Sequence, residues 1–405
     1  MIRKHMAVLC ALIIALTVGG AYARPGWLQQ GMGDLAPPRP ATNEVAGEET
    51  AIASSYAAVA ADRIPAWETG VIGAVPPSAA PDVVGAFRFI CMAGQLRFDD
   101  PILFPGKPGQ SHLHQFFGNT AADAHSTYAS LRRGGDSTCM NRLNRSAYWM
   151  PAMLNGAGKV VRPDYVSIYY KRRPQSDPEC QRAAMACVAL PRGLRFVFGF
   201  DMVNPEAAVT GAGYYNCQGP SATPGHYPTL VEAAQHCPAG NQLGAVINAP
   251  NCWDGKRLDS PNHRDHVAYT RWVNGKELCP FTHPYVIPTF TMGSWYTVDA
   301  TLNRTASWKS GTDTWHLSSD EMHGEMRTPG TTFHADWFGA WDDETMHMWT
   351  EHCIDRMLNC SGGDLGNGRQ LKQSAPFAWV AKPHLAPVPP RAVADGGGAA
   401  MPAHH

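Results

Sequence analysis

Two stretches decide the fold class: Tyr165-Val-Ser-Ile-Tyr-Tyr170 and Leu194-Arg-Phe-Val-Phe-Gly-Phe200. In both, every second residue is large and apolar. Side chains of a strand point alternately to opposite faces, so such a run reads as a strand with one face in a core. Tyr285 to Thr297 is rich in β-branched and aromatic residues and reads the same way. Clusters of Pro and Gly separate these runs. One segment has helical spacing: Asp342-Asp-Glu-Thr345 opens it, and Met346, Trp349, Cys353 and Met357 follow at intervals of three and four. The expected fold is mainly β, a sandwich or jelly-roll-like core with long disulfide-braced loops and one or two short helices.

Outward from this core the ends differ in character. Arg3, Lys4 and His5 precede an apolar run from Met6 to Val18, and Ala21-Tyr22-Ala23 forms a small-x-small cleavage site. Residues 1–23 therefore read as a signal peptide, with Arg24 as the new N-terminus. The apolar run is short for a membrane span, and no later stretch is apolar enough to be one. The expectation is a secreted protein, extracellular or periplasmic, with no membrane span after cleavage. Residues 24–83 are rich in Ala and Pro and read as a linker or lead-in. Residues 84–384 read as a single domain, catalytic or binding. Residues 385–405, ending in His404-His405, read as a disordered tail.

Of 11 cysteines, Cys10 leaves with the signal, and the even set that remains argues for disulfides in an oxidising compartment. Cys180 with Cys187 and Cys353 with Cys360 are the local pairs expected. No Cys-x-x-Cys occurs, which argues against a zinc ribbon. The net charge of −1 gives no electrostatic reason to expect nucleic acid. There is no Gly-x-Ser-x-Gly elbow, no phosphate-binding glycine loop and no His-Glu-x-x-His helix, which removes the common hydrolase, nucleotide and zinc-protease readings.

What stands out is histidine, 17 in all, several of them in four small clusters. In Ser111-His-Leu-His-Gln-Phe-Phe-Gly-Asn119, an extended backbone puts His112 and His114 on one face, where two imidazoles can chelate a metal or flank a substrate. In Thr332-Phe-His-Ala-Asp-Trp-Phe-Gly-Ala-Trp341, His334 and Asp336 share a face. There the carboxylate can orient the imidazole or complete a metal site. The aromatics beside them can stack on sugar rings or simply pack a core. In Asn262-His-Arg-Asp-His-Val-Ala-Tyr269, Arg264 can clamp a carboxylate, with His263 and Tyr269 as base and acid. His283, in Cys279-Pro-Phe-Thr-His-Pro284, sits on stiff backbone. Asp99 and Asp100, before Pro101, read chiefly as turn formers, with acid/base or metal-ligand roles as the alternative.

Taken in order, Phe98-Asp-Asp-Pro-Ile-Leu-Phe-Pro-Gly106 and the four histidine clusters resemble the secreted domain of unknown function numbered nineteen ninety-six, over roughly Ala86 to Leu365. The family occurs in fungi and bacteria, and its fungal members are often joined to WSC carbohydrate-binding modules. That implies a polysaccharide or cell-wall context. This chain has no recognisable WSC module.

The functional expectation is a carbohydrate-active protein working on an extracellular or cell-wall polysaccharide through a His-rich site. In a lyase-like version, a His or Tyr takes the proton beside a uronate carboxylate that Arg264 or a metal neutralises. In a metal-dependent version, a divalent ion sits on His112, His114, His334 and Asp336. The mature N-terminus is Arg24, not His, which speaks against a copper site built on an N-terminal histidine. The rival is a non-catalytic wall-binding or structural protein whose histidines make a polar core. The histidine clusters are expected to converge into one concave site. His112, His114 and His334 within about 5 Å of a common point, facing an open cleft, would favour a site, and histidines scattered or sealed from solvent would favour the polar core.

Overall fold

The strand Tyr165–Arg172 alternates strictly, with Val166, Ile168, Tyr170 and Arg172 buried and their neighbours half-exposed. The computed structural model that shows this describes residues 84–391, apart from 183–184, 208–211, 310–312, 323 and 372–377. The expected signal peptide, the lead-in and the terminal histidines lie outside the described residues.

Eleven strands build two main sheets. In chain order they are β1 (Gly85–Cys91), β2 (Leu96–Arg97), β3 (His114–Gly118), β4 (Ala147–Pro151), β5 (Tyr165–Arg172), β6 (Arg195–Gly199), β7 (Gly213–Gln218), β8 (Gln242–Asn248), β9 (Thr289–Thr297), β10 (His334–Phe338) and β11 (Asn359–Cys360). The first sheet has six strands in the order β7-β8-β9-β5-β1-β11. The second has five, β2-β3-β4-β10-β6. All pairings are antiparallel except β1 with β11.

The two sheets pack face to face. Phe290 of β9 meets Tyr148 of β4, Phe196 of β6 and Trp337 of β10 with ring centroids 5.1–6.3 Å apart. Tyr148 and Tyr170 join their hydroxyls across the interface at 2.6 Å, and the Trp341 indole N–H donates to Tyr170 Oη at 3.1 Å. Buried hydroxyls need partners, and this chain of bonds supplies them within the apolar core.

The five-stranded sheet is buried on both faces: β3, β4 and β10 have no exposed position. Its inner face gives Phe117, Tyr148, Phe196 and Trp337 to the sandwich core. On its outer face Phe116, Trp149, Val197 and Phe338 pack against Ile102, Ala122, Tyr128 and Leu131. The last two come from helix α1 (Tyr128–Arg133), capped by Thr127. Chain passing over that outer face is what encloses the site.

The helix expected after Asp342 forms as α2 (Asp343–Trp349), with Asp342 accepting from Thr345 N, and continues in a π turn over Thr350–Ile354. The expected strand from Tyr285 to Thr297 is divided into Tyr285–Val286 and β9, since Pro288 cannot donate to a ladder. Five disulfides join Cys91–Cys139, Cys180–Cys187, Cys217–Cys237, Cys252–Cys279 and Cys353–Cys360, including both local pairs expected. The tail expectation needs correction: Leu385–Pro387 is a strand paired with Lys159–Val161, and Arg391 donates to Gly109 O at 2.8 Å. The ordered domain therefore runs past His384. Among the described residues no helix is long and apolar enough to cross a membrane.

Candidate functional site

The outer face of the five-stranded sheet carries His114 on β3 and His334 and Asp336 on β10. Strand β4 lies between them: His114 pairs with Pro151, and Asp336 with Trp149. His112 joins them from the segment leading into β3. The ring centroids lie 4.2 Å apart for His112–His114, 5.0 Å for His112–His334 and 6.1 Å for His114–His334. Two trios, His112-His114-His334 and Asp100-His114-Asp336, each bring all their ligand atoms within 4.8 Å of one another, and they share His114.

Local bonds set which nitrogens face the cluster. His114 Nδ1 lies 3.0 Å from the carbonyl oxygen of Asp99 and 3.0 Å from Ser111 Oγ. A carbonyl only accepts, so Nδ1 carries the proton and Nε2 has the lone pair. Ser111 Oγ in turn donates to His112 O at 2.6 Å. His334 is held likewise, Nδ1 donating to Thr332 O at 2.8 Å. This is the outer-shell arrangement that orients imidazole ligands. The Thr332 segment is fixed by Asp320, which accepts from Leu317 N, Gly330 N, Thr332 N and Thr332 Oγ1.

The site is dry. His114 and Asp336 are 0 % exposed, His334 and Asp100 1 %, and only His112 is partly exposed. The Nε2 atoms of His112 and His114 and both carboxylate oxygens of Asp336 have no hydrogen-bond partner. Burial therefore dominates the titration. It holds His112 and His114 below the usual imidazole range and takes His334 down to about 3. It pushes Asp336 well above the carboxylate range, with the Asp100 charge adding to the effect and Arg264 opposing it.

A buried polar atom without a partner costs free energy, and several at one point are an exception that calls for an explanation. A divalent cation supplies one. Ligand atoms about 2.1 Å from a metal stand at most roughly 4 Å from each other, and those of each trio lie within 4.8 Å of one another. One trio offers three imidazole nitrogens and the other an imidazole with two carboxylates, and imidazole-bearing sets of this kind suit first-row transition ions better than calcium or magnesium.

Of the residues singled out from the sequence, His112, His114, His334 and Asp336 come together. The other four do not join either trio. His263 pairs through Nδ1 with Asp259 at 2.8 Å, and His283 Nε2 donates to Asp265 O at 2.9 Å. Tyr269 donates to Asn248 O at 2.8 Å. Arg264 donates to the carbonyls of Gly199 and Phe200, at 3.2 and 3.0 Å, with Asp201 at 3.6 Å. Its donors thus fasten the end of β6 beside His334, where Gly199 at φ +87° lets the strands close: a Cβ there would lie 2.9 Å from His334 Cα. His263, Arg264 and Tyr269 lie in the segment closed by Cys252–Cys279. The expected convergence of all four clusters on one concave site is corrected to convergence of the first two, in a buried cluster rather than an open cleft.

Sequence reasoning underweighted Asp100. It does form the turn, accepting from Ile102 N and Leu103 N at 2.8 Å each, yet it also belongs to the second trio. Arg391, in the stretch assigned to a disordered tail, lies close enough to lower His112 further.

A family described as a domain of unknown function, DUF1996, matches residues 100–341. No curated protein and no solved structure matches the chain.

Proposed function

Since the chain belongs to the DUF1996 family, whose description assigns no activity, we propose a function from the site itself: a divalent transition-metal centre in a secreted, carbohydrate-active protein. The observation that carries it is the set of unpartnered buried atoms on His112, His114 and Asp336. His334 and Asp100 complete the candidate ligands. Bound there, a metal acts as a Lewis acid or lowers the pKa of a bound water. His112, the one partly exposed ligand, marks the side from which a substrate group approaches. The polysaccharide target rests on the family resemblance and on five disulfides, which suit a protein outside the cell.

The metal-dependent version is favoured over the lyase-like one. A lyase-like version with Arg264 as the carboxylate clamp is disfavoured, because Arg264 already donates to Gly199 and Phe200; one in which the metal neutralises the carboxylate falls within the metal-dependent reading. A second reading has one observation behind it: His114, His334 and Asp336 are fully enclosed, as in a structural metal clamp. In that case the protein binds walls without catalysis.

Elemental analysis of the purified secreted protein tests the proposal. About one transition ion per chain is expected, with loss on chelation and in His112→Ala. A metal-free, fully folded protein that takes up none on reconstitution overturns it. Incubation of the loaded protein with wall polysaccharides then separates catalysis from a clamp by the appearance of new chain ends.

A further inference from the structure

The opposite face of the sandwich bears a second feature. On the outer face of the six-stranded sheet lies an open groove of about 510 Å³, walled by Tyr165, Tyr169, Tyr214, Trp295 and Trp379 with Ser167, Asn216, Gln218 and Thr291 between them. We propose that this groove binds a neutral polysaccharide chain, separately from the metal centre.

The outward positions of a solvated sheet are ordinarily polar. Here they form an aromatic run. Trp295 sits opposite Gly244 on one neighbouring strand and opposite Tyr165 on the other. Tyr165 meets Trp379 edge to face at 5.5 Å. The glycine at 244 is what lets the indole lie down: a Cβ there would come within 2.7 Å of the ring. Trp295 thus rests flat against the sheet with its other face toward the groove. Flat rings interleaved with hydroxyl and amide groups match a sugar chain, which offers C–H faces for stacking and a rim of hydroxyls.

Charge selects the class of chain. Among the described residues no Asp or Glu lines the groove, and two cations meet its Tyr169 wall, Arg88 at 4.4 Å and Lys171 at 5.2 Å from the ring centroid. Both cations sit on one ring rather than in a row along the groove, which among the described residues leaves no line of charges for successive uronates, so the proposed occupant is uncharged. The proposal shares the expectation of a polysaccharide with the proposed function but does not depend on the metal.

Co-sedimentation of the full secreted chain with insoluble cellulose, β-1,3-glucan and chitin, and affinity electrophoresis in pectate, test it. Retention on at least one neutral polymer is expected, weakened about tenfold by Trp295→Ala and by Trp379→Ala. Trp379 is 60 % exposed, so its loss leaves the core intact. Chelator-treated protein is retained equally, which keeps this test independent of the metal centre. Absence of retention on every neutral polymer, preference for pectate, or variants that bind like the wild type each overturn the proposal.

Discussion

His114 Nδ1 lies 3.0 Å from the backbone carbonyl of Asp99, and that single contact turns the lone pair of Nε2 toward His112, His334 and Asp336. The tautomer is thus fixed by a backbone group that cannot be titrated away. Ser111 Oγ, at 3.0 Å from the same nitrogen, adds a second restraint. Ser111→Ala should therefore lower metal affinity about tenfold, in the range seen for outer-shell partners. Its backbone N–H bond to Phe98 O survives, so unfolding should change little. Competition with a chromogenic chelator measures the affinity; an unchanged constant would show that Ser111 does not support the ligand.

Asp336 separates metal binding from stability. Its buried oxygens have no partner, and burial favours its neutral form. Asp336→Asn should leave the metal-free protein within about 1 kcal/mol of wild type. It should weaken metal binding by at least about 100-fold, more than an outer-shell loss. Added metal should raise the melting temperature of the wild type and not of the variant, because only a ligand that binds the native state stabilises it. Equal shifts in both would exclude Asp336 as a ligand.

Asp320 should give the fold a pH dependence of its own. Burial raises its pKa from 3.8 to about 6, against the four bonds it accepts. A carboxyl that holds its proton more tightly folded than unfolded makes folding less favourable as pH rises through that window. The contribution of Asp320 is therefore fullest below 3.8 and declines until about pH 6, by about 3 kcal/mol at most. The stability gap between wild type and Asp320→Asn should narrow as pH rises across this interval. Urea unfolding at a series of pH values reads it; a constant gap would contradict the shift.

The Cys252–Cys279 bridge spans 27 residues and closes the segment that carries His263, Arg264 and Tyr269. Replacing both cysteines by Ala should cost about 3 to 4 kcal/mol on the chain-entropy account. Metal content should stay the same, since none of the candidate ligands lies in that loop. Denaturant unfolding with elemental analysis of the folded fraction checks both parts.

The export reading makes a direct prediction about the mature chain. Expressed with its own leader, the protein should appear outside the cytoplasm with Arg24 as its first residue. Edman sequencing or intact mass decides this, and a retained Met6–Val18 segment would reject cleavage.

What the sequence determined by itself were features with a short period or a short reach. Strand alternation at Tyr165–Tyr170 and Leu194–Phe200 repeats every two residues, so the faces were readable before any partner strand was known. The cap at Asp342 and the two seven-residue disulfide spans are local in the same sense. So is the shared face of His334 and Asp336. Only tertiary structure decided which clusters meet. His114 and His334 are neighbours because β4 lies between β3 and β10, and strand order depends on how whole sheets bury their faces, not on any local signal. The same holds for Asp100, whose turn geometry is local but whose place beside Asp336 is not. It holds for Arg264 as well: its charge suggested a clamp, while the fold set the carbonyls of Gly199 and Phe200 within its reach.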